Sequence, residues 1–184
     1  MSFHENEHII LSELRTVLDK VDSESVQAAI EAIEGSPKIF FHALGRAGFM
    51  GKSFVMRLMH MGKEVYVMGE TNTPNFEKGD LLIIASGSGE TAQFVQIAQK
   101  AKNFGGKLLV FTGSPKSTLA KMADVVITIQ APSKKQADSS FHSVQPMASL
   151  FEQGILLAGD AIVLTIMEHG AANDEMFSRH SNLE

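Results

Sequence analysis

The sequence predicts an α/β fold, a three-layer α/β/α sandwich around a five-stranded parallel sheet, on three observations. Five short runs are continuously apolar, Ile39-Phe40-Phe41, Val65-Tyr66-Val67, Leu81-Leu82-Ile83-Ile84, Leu108-Leu109-Val110-Phe111 and Val125-Val126-Ile127, as strands covered on both faces are. Helical patterns alternate with them, from Ala47 to Gly62, Thr91 to Phe104 and Ser117 to Ala123, and such alternation places helices on both sides of a parallel sheet. With 184 residues, 44% of them hydrophobic, the chain is long and apolar enough to bury one core.

Two helices are expected before the first strand. Ile9, Ile10, Leu14, Val17, Leu18 and Val21 recur at spacings of three and four between His8 and Val21, the stripe of an amphipathic helix. The second runs from Ser23, read as its N-cap, to Glu34, where Gly35-Ser36-Pro37 stops it. After the last strand, Pro132 to Val144 is polar and forms the one long loop, a lid or a mobile connection. A helix from about Pro146 to His169 follows, apolar on nearly every face, which calls for cover from a subunit interface as well as from the core. Its longest apolar run, Ile155 to Met167, is interrupted by Gly159, Asp160 and Thr165 and falls short of the roughly 20 residues that span a bilayer. No repeat divides the chain. It reads as a single domain over 1–184, with N-terminal helices in 1–36, a sheet core in 37–130, a loop in 131–145 and a C-terminal helix and tail in 146–184.

Composition excludes several classes of function. A formal charge of -5 with no dense Lys/Arg run gives little attraction for nucleic acid or an anionic membrane. The chain has no cysteine, hence no disulfide or thiolate metal site, and fits a reducing, cytoplasmic setting. Residues Met1 to Asn6 are polar and acidic, unlike a secretory signal. His4, His8, His42, His142 and His169 share no metal-ligand spacing, so no metal site is expected.

In a parallel sheet, ligands bind beyond the carboxyl ends of the strands, which directs attention to residues 43–48, 69–75, 86–91 and 112–117. Ser86-Gly87-Ser88-Gly89-Glu90-Thr91 leads from a buried strand into a helix. Its glycines let backbone N–H groups approach a ligand, the helix dipole favours an anion, and Ser86, Ser88 and Thr91 each add a hydroxyl. The same residues also suit a plain helix cap, although a cap needs only one hydroxyl. The lysine of a Walker loop is missing. In Ala43-Leu44-Gly45-Arg46-Ala47-Gly48, Ala43 stands where a dinucleotide fingerprint needs glycine, so no nucleotide cofactor is expected. Arg46 there offers a guanidinium to a substrate oxygen or an acidic partner.

Ser86 to Thr91 resembles the phosphate loop of the sugar isomerase (SIS) domain family. Further segments narrow the likeness to its 6-phospho-3-hexuloisomerases: Gly45-Arg46, Met56 to Gly62, Gly69-Glu70-Thr71 with Thr73-Pro74, Gln145-Pro146-Met147, Leu150-Phe151-Glu152-Gln153, Arg179-His180 and Asn182-Leu183-Glu184. The resemblance implies a flavodoxin-like SIS fold, a homotetramer, and a cofactor-independent ketose-phosphate isomerase. It would interconvert 3-hexulose 6-phosphate and fructose 6-phosphate through an enediol, in the ribulose monophosphate route of formaldehyde fixation. The chain departs from the family in the first loop. The family's usual Gly-Ala-Gly-Arg-Ser-Gly places a serine against the substrate, where Ala47 has only its backbone N–H to offer.

Moving a carbonyl between C3 and C2 requires a base, an enediol and return of a proton. Glu152 interrupts an apolar helix between Phe151 and Ile155, so it is either such a base or half of a structural ion pair; the family's matching glutamate is taken as the proton acceptor. His60 follows Arg57 by three residues on one helix face and either shuttles the hydroxyl proton or interacts with the helix end. Glu70 is expected to pair with Arg46 or Arg57. Composition leaves His180 in a frayed tail, whereas the resemblance implies a tail folded over an active site, its own or a neighbour's. Two other functions stay open: an isomerase of another sugar phosphate, and a sensor that binds without turnover.

Overall fold

In the computed structural model, which describes residues 1–132, 141–168 and 173–183, the five apolar runs form strands β1 (Ile39–His42), β2 (Val65–Val67), β3 (Leu81–Ala85), β4 (Lys107–Thr112) and β5 (Val125–Thr128). They make one parallel sheet in the order β2-β1-β3-β4-β5. The helices are α1 (Phe3–Leu18), α2 (Ser23–Glu34), α3 (Gly45–His60), α4 (Ala92–Asn103), α5 (Thr118–Met122), α6 (Ser149–Met167) and α7 (Asn173–Ser178). Residues 133–140 of the expected loop, together with His169 and Glu184, lie outside the described residues.

Successive strand residues face opposite sides, and the two sides carry different helices. Ile39, Phe41, Leu81, Ile83, Leu109 and Phe111 pack under α1, α2, α3 and α6, while Phe40, Leu82, Ile84, Leu108 and Val110 pack under α4 and α5. Continuous apolar runs are what a doubly covered sheet needs. Burying one large apolar side chain is worth roughly 1.5–3 kcal/mol, so these strands are the main source of stability.

The α3 and α6 helices meet where small residues allow it: a Cβ on Gly159 would stand 3.1 Å from Phe54, itself buried. The α6 helix is long and apolar enough to cross a membrane, yet over half of its apolar window is buried inside the protein, the mark of a core helix. Leu157 and Leu164 remain exposed on its outer face.

Several boundaries differ from expectation. The first helix starts at Phe3, five residues early, because Ser2 and Glu5 form a reciprocal capping box in a turn with no apolar stripe. Asp22, not Ser23, caps α2, its carboxylate accepting from the Ser25 N–H at 2.8 Å. The tail is not frayed up to Ser178, since Met176 is buried and anchors α7.

Candidate active site

The strand order reverses between β1 and β3, and the loops after these two strands part there to open a crevice at the carboxyl end of the sheet. The crevice is a cleft of about 500 Å³. Leu44 to Ala47 form one wall, Ala85 to Ser88 with Thr91 and Phe94 the floor, and Ala148, Phe151 and Glu152 the opposite wall.

Three helices begin at this cleft, and none has a side-chain cap. The N-caps of α3, α4 and α6 are Leu44, Thr91 and Ala148, and none of them makes a capping hydrogen bond. Away from the cleft, α1, α2 and α5 are capped by the side chains of Ser2, Asp22 and Ser117. Uncapped N-termini present free N–H groups and the positive ends of helix dipoles. Three of them converge on one crevice, and Thr91 holds the cap position of α4 without making a capping bond.

Within the loop, Gly89 N–H donates to Ser86 Oγ at 3.2 Å and Glu90 N–H to Ser88 Oγ at 3.3 Å. Gly89 has φ 66, a left-handed conformation natural to glycine, and a side chain there would collide with Ser117. Glu90 turns away from the cleft. Its carboxylate accepts from Thr118 N–H at 2.8 Å and Thr118 Oγ at 2.7 Å, and these bonds hold its pKa below the usual value. Of the six loop residues, Glu90 therefore supports the turn by tying it to α5, and an anion is left to the hydroxyls and N–H groups around it.

Across the cleft, Arg46 Nη1 donates to Glu152 Oε2 at 2.7 Å. The pair is asymmetric: the Glu152 side chain is 11% exposed and that of Arg46 46%. The carboxylate is thus fixed on the apolar wall beside Phe151, while the guanidinium stays open to a ligand. Ala47 lines the same wall and presents no hydroxyl. Glu70 pairs with Lys52 at 2.9 Å and not with Arg46 or Arg57, because Lys52 lies on the α3 turn that faces the loop after β2.

His60 and His180 lie elsewhere in the chain. His60 ends α3, fourteen positions from Arg46 and so roughly 21 Å along the helix. There it meets Arg57 at 3.2 Å and stacks on His180, ring centroids 5.3 Å apart. Arg179 Nη1 donates to the His60 carbonyl at 3.1 Å and fastens the tail there. Burial, then Arg57 and His180, push the His60 pKa down. These groups line a second cavity of about 470 Å³, with Asp160, Leu164 and Phe177 among its walls.

Reasoning from the sequence did not pick out Phe151, Ala148, Phe94 and Leu44 as lining residues, or Ser117 beneath Gly89. Apolar lining looks like core in a sequence. Among the described residues, no cluster of three or more His, Asp or Glu could hold a metal ion.

Comparison with known proteins gives a consistent family. The SIS domain profile matches residues 32–157. A 3-hexulose-6-phosphate isomerase of Bacillus subtilis is 43% identical over 95% of both chains, and one of Mycobacterium gastri is 37% identical over 97% of this chain and 90% of its own. The crystal structure of a Methanococcus jannaschii protein, from which the function of a 3-hexulose-6-phosphate isomerase was inferred, superposes with a TM-score of 0.84. It is 32% identical and covers 98% of this chain and 99% of its own. A parallel sheet in this order, a cleft at its switch point and relatives matched along nearly their whole length lead to one assignment: the chain belongs to the SIS domain family.

Proposed function

We propose that this chain is a cofactor-independent isomerase interconverting 3-hexulose 6-phosphate and fructose 6-phosphate, with Glu152 as the base. The observation that carries this reading is the convergence of three uncapped helix N-termini on a cleft whose wall holds the Arg46–Glu152 pair. The full-length likeness to the Bacillus subtilis and Mycobacterium gastri isomerases supports the choice of substrate. Such an enzyme belongs to the ribulose monophosphate route of formaldehyde fixation, in the cytoplasm.

In this mechanism the phosphate ester sits on Ser86, Gly87, Ser88, Gly89 and Thr91, with the Ala47 N–H facing the sugar. Glu152 takes the proton from C2 of the 3-hexulose. The C–H electrons form the C2–C3 double bond, and the former C3 carbonyl oxygen, carrying negative charge, is met by Arg46. Return of the proton to C3 re-forms a carbonyl at C2 and completes fructose 6-phosphate. A proton also passes from the C2 hydroxyl to the C3 oxygen. His60 and His180 take part in that transfer only from a neighbouring copy, because α3 carries His60, and the stack on it holds His180, roughly 21 Å along the helix from Arg46. We therefore include a homotetramer in the proposal, supported by exposed Phe49, Met56 and Met59 on α3 and Leu157 and Leu164 on the adjoining α6.

Incubation with fructose 6-phosphate in deuterated water tests the reading. Deuterium is expected at C3 of recovered fructose 6-phosphate and at C2 of the 3-hexulose. Measurable binding without exchange would overturn it in favour of a sensor.

A further inference from the structure

The start of α6 is strained. Met147, with φ 59, is the one non-glycine residue at positive φ among the described residues, and such a conformation persists only where its surroundings enforce it. It stands two residues before α6, next to Ala148, whose side chain offers no cap. Four residues further on comes Phe151, then Glu152.

The segment just before this turn is held from the other end of the chain. Glu13, half-buried on α1, accepts hydrogen bonds from Ser143 Oγ at 2.6 Å, from Val144 N–H at 2.9 Å and from Gln145 Nε2 at 2.9 Å. Ser143 Oγ in turn accepts from Gln145 N–H at 3.0 Å, and Gln145 is buried. Burial pushes the Glu13 pKa up, but the bonds from Ser143, Gln145 and Val144 outweigh it and hold the carboxyl below its usual value. Charge-assisted bonds to three neutral donors on consecutive residues fix both position and direction of a backbone segment. No step of the proposed reaction uses Glu13.

We propose that Glu13 is a positioning residue: its carboxylate clasps the Ser143 to Gln145 segment, imposes the turn at Met147 and so sets where α6 presents Phe151 and Glu152 to the cleft. The inference rests on Glu152 being the base. Glutamine at position 13 keeps the size but loses the charge and turns an N–H2 group toward at least one donor, so the clasp loosens. A small displacement of a reacting group is costly in rate, whereas the loop Ser86 to Thr91 is carried by β3 and α4 and meets α6 only through packing of Gly87 on Phe151.

The test compares Glu13→Gln, Ser143→Ala and the double variant in the full chain. For Glu13→Gln, kcat is expected to fall ~10- to 100-fold with KM nearly unchanged. Ser143→Ala, which removes one of three donors, is expected to give a smaller loss. The double variant should be no slower than Glu13→Gln alone, as for residues acting through one contact. Hydrogen exchange, followed on peptides covering 143–152, should be faster in Glu13→Gln than in the wild type. Unchanged kcat, or kcat and KM moving together with a lowered Tm, would overturn the positioning role. Unchanged exchange would overturn the clasp itself, whether or not the wild type turns over 3-hexulose 6-phosphate. Absence of wild-type turnover alongside faster exchange in the variant would instead sink the assignment of substrate and base, and with it the catalytic part of the clasp.

Discussion

Arg46 and Glu152 are 106 residues apart in sequence and 2.7 Å apart in space, guanidinium to carboxylate, across the mouth of the cleft. The guanidinium holds the carboxylate in one orientation, and in the proposed reaction it would meet the charge that the sugar oxygen acquires. Replacing Glu152 with glutamine is expected to lower kcat by about three orders of magnitude while leaving fructose 6-phosphate binding within about threefold. Steady-state kinetics beside calorimetry separates the two effects, and near-normal turnover would remove Glu152 from the mechanism. Arg46→Met should lower kcat by ~100-fold.

Glu90 offers a contrasting case, because it lies in the loop after β3 without lining the cleft. Its bonds to Thr118 tie the loop to α5. Glu90→Ala is expected to raise KM by roughly five- to tenfold with a smaller change in kcat, since a loosened loop weakens ground and transition states alike. A loss confined to kcat would contradict the role given to Glu90.

Stability should depend on pH through a buried histidine outside the cleft. His42 is buried against the Phe94 ring, centroids 5.0 Å apart, and its Nε2 has no partner among the described residues. Burial pushes its pKa below the ordinary 6.5. The unfolded chain then binds a proton that the folded chain resists, so stability is full above pH 6.5 and falls as the pH drops below it. Because His60 is shifted in the same direction, His42→Phe should reduce but not abolish the fall in Tm between neutral pH and pH 5. An unchanged slope would mean that His42 is protonated without penalty in the fold.

The proposed tetramer makes its own demand on the outer faces of α3 and α6. Phe49→Glu with Met56→Glu places charges on apolar positions of α3 that are exposed in the single chain. Light scattering is expected to give a smaller species with a preserved circular dichroism spectrum and turnover reduced by at least about tenfold. A monomeric variant with full turnover would remove the neighbouring copy, and its histidines, from the site.

The sheet was legible in the sequence because double cover forces unbroken apolar runs, and Ile39 to Phe41 or Leu108 to Phe111 fit little else. The turn from β3 into α4 at Ser86 to Thr91 was legible because glycine and hydroxyl residues crowd between a strand and a helix. The Arg46–Glu152 pair was read as two separate candidates: spacing along a chain says nothing about which loops a parallel sheet brings together. Glu70 went to Lys52 for the same reason. His60 was set beside Glu152 from its spacing to Arg57 and His180 from the resemblance, yet α3 carries His60, with His180 stacked on it, away from the cleft within one subunit. Most hidden was the role of Glu13, a charged residue on an amphipathic helix whose partners lie 130 to 132 positions away.

The three bare helix ends at the cleft also bear on how the protein lasts in the cell. A phosphate ester bound there supplies the acceptors that Ser2, Asp22 and Ser117 supply to their own helices, so substrate acts as a missing piece of secondary structure. Occupancy at about a hundred times Kd would contribute about 2.7 kcal/mol to folding. Under the proposed binding mode, added sugar phosphate is therefore expected to raise the Tm of the chain and slow its proteolysis.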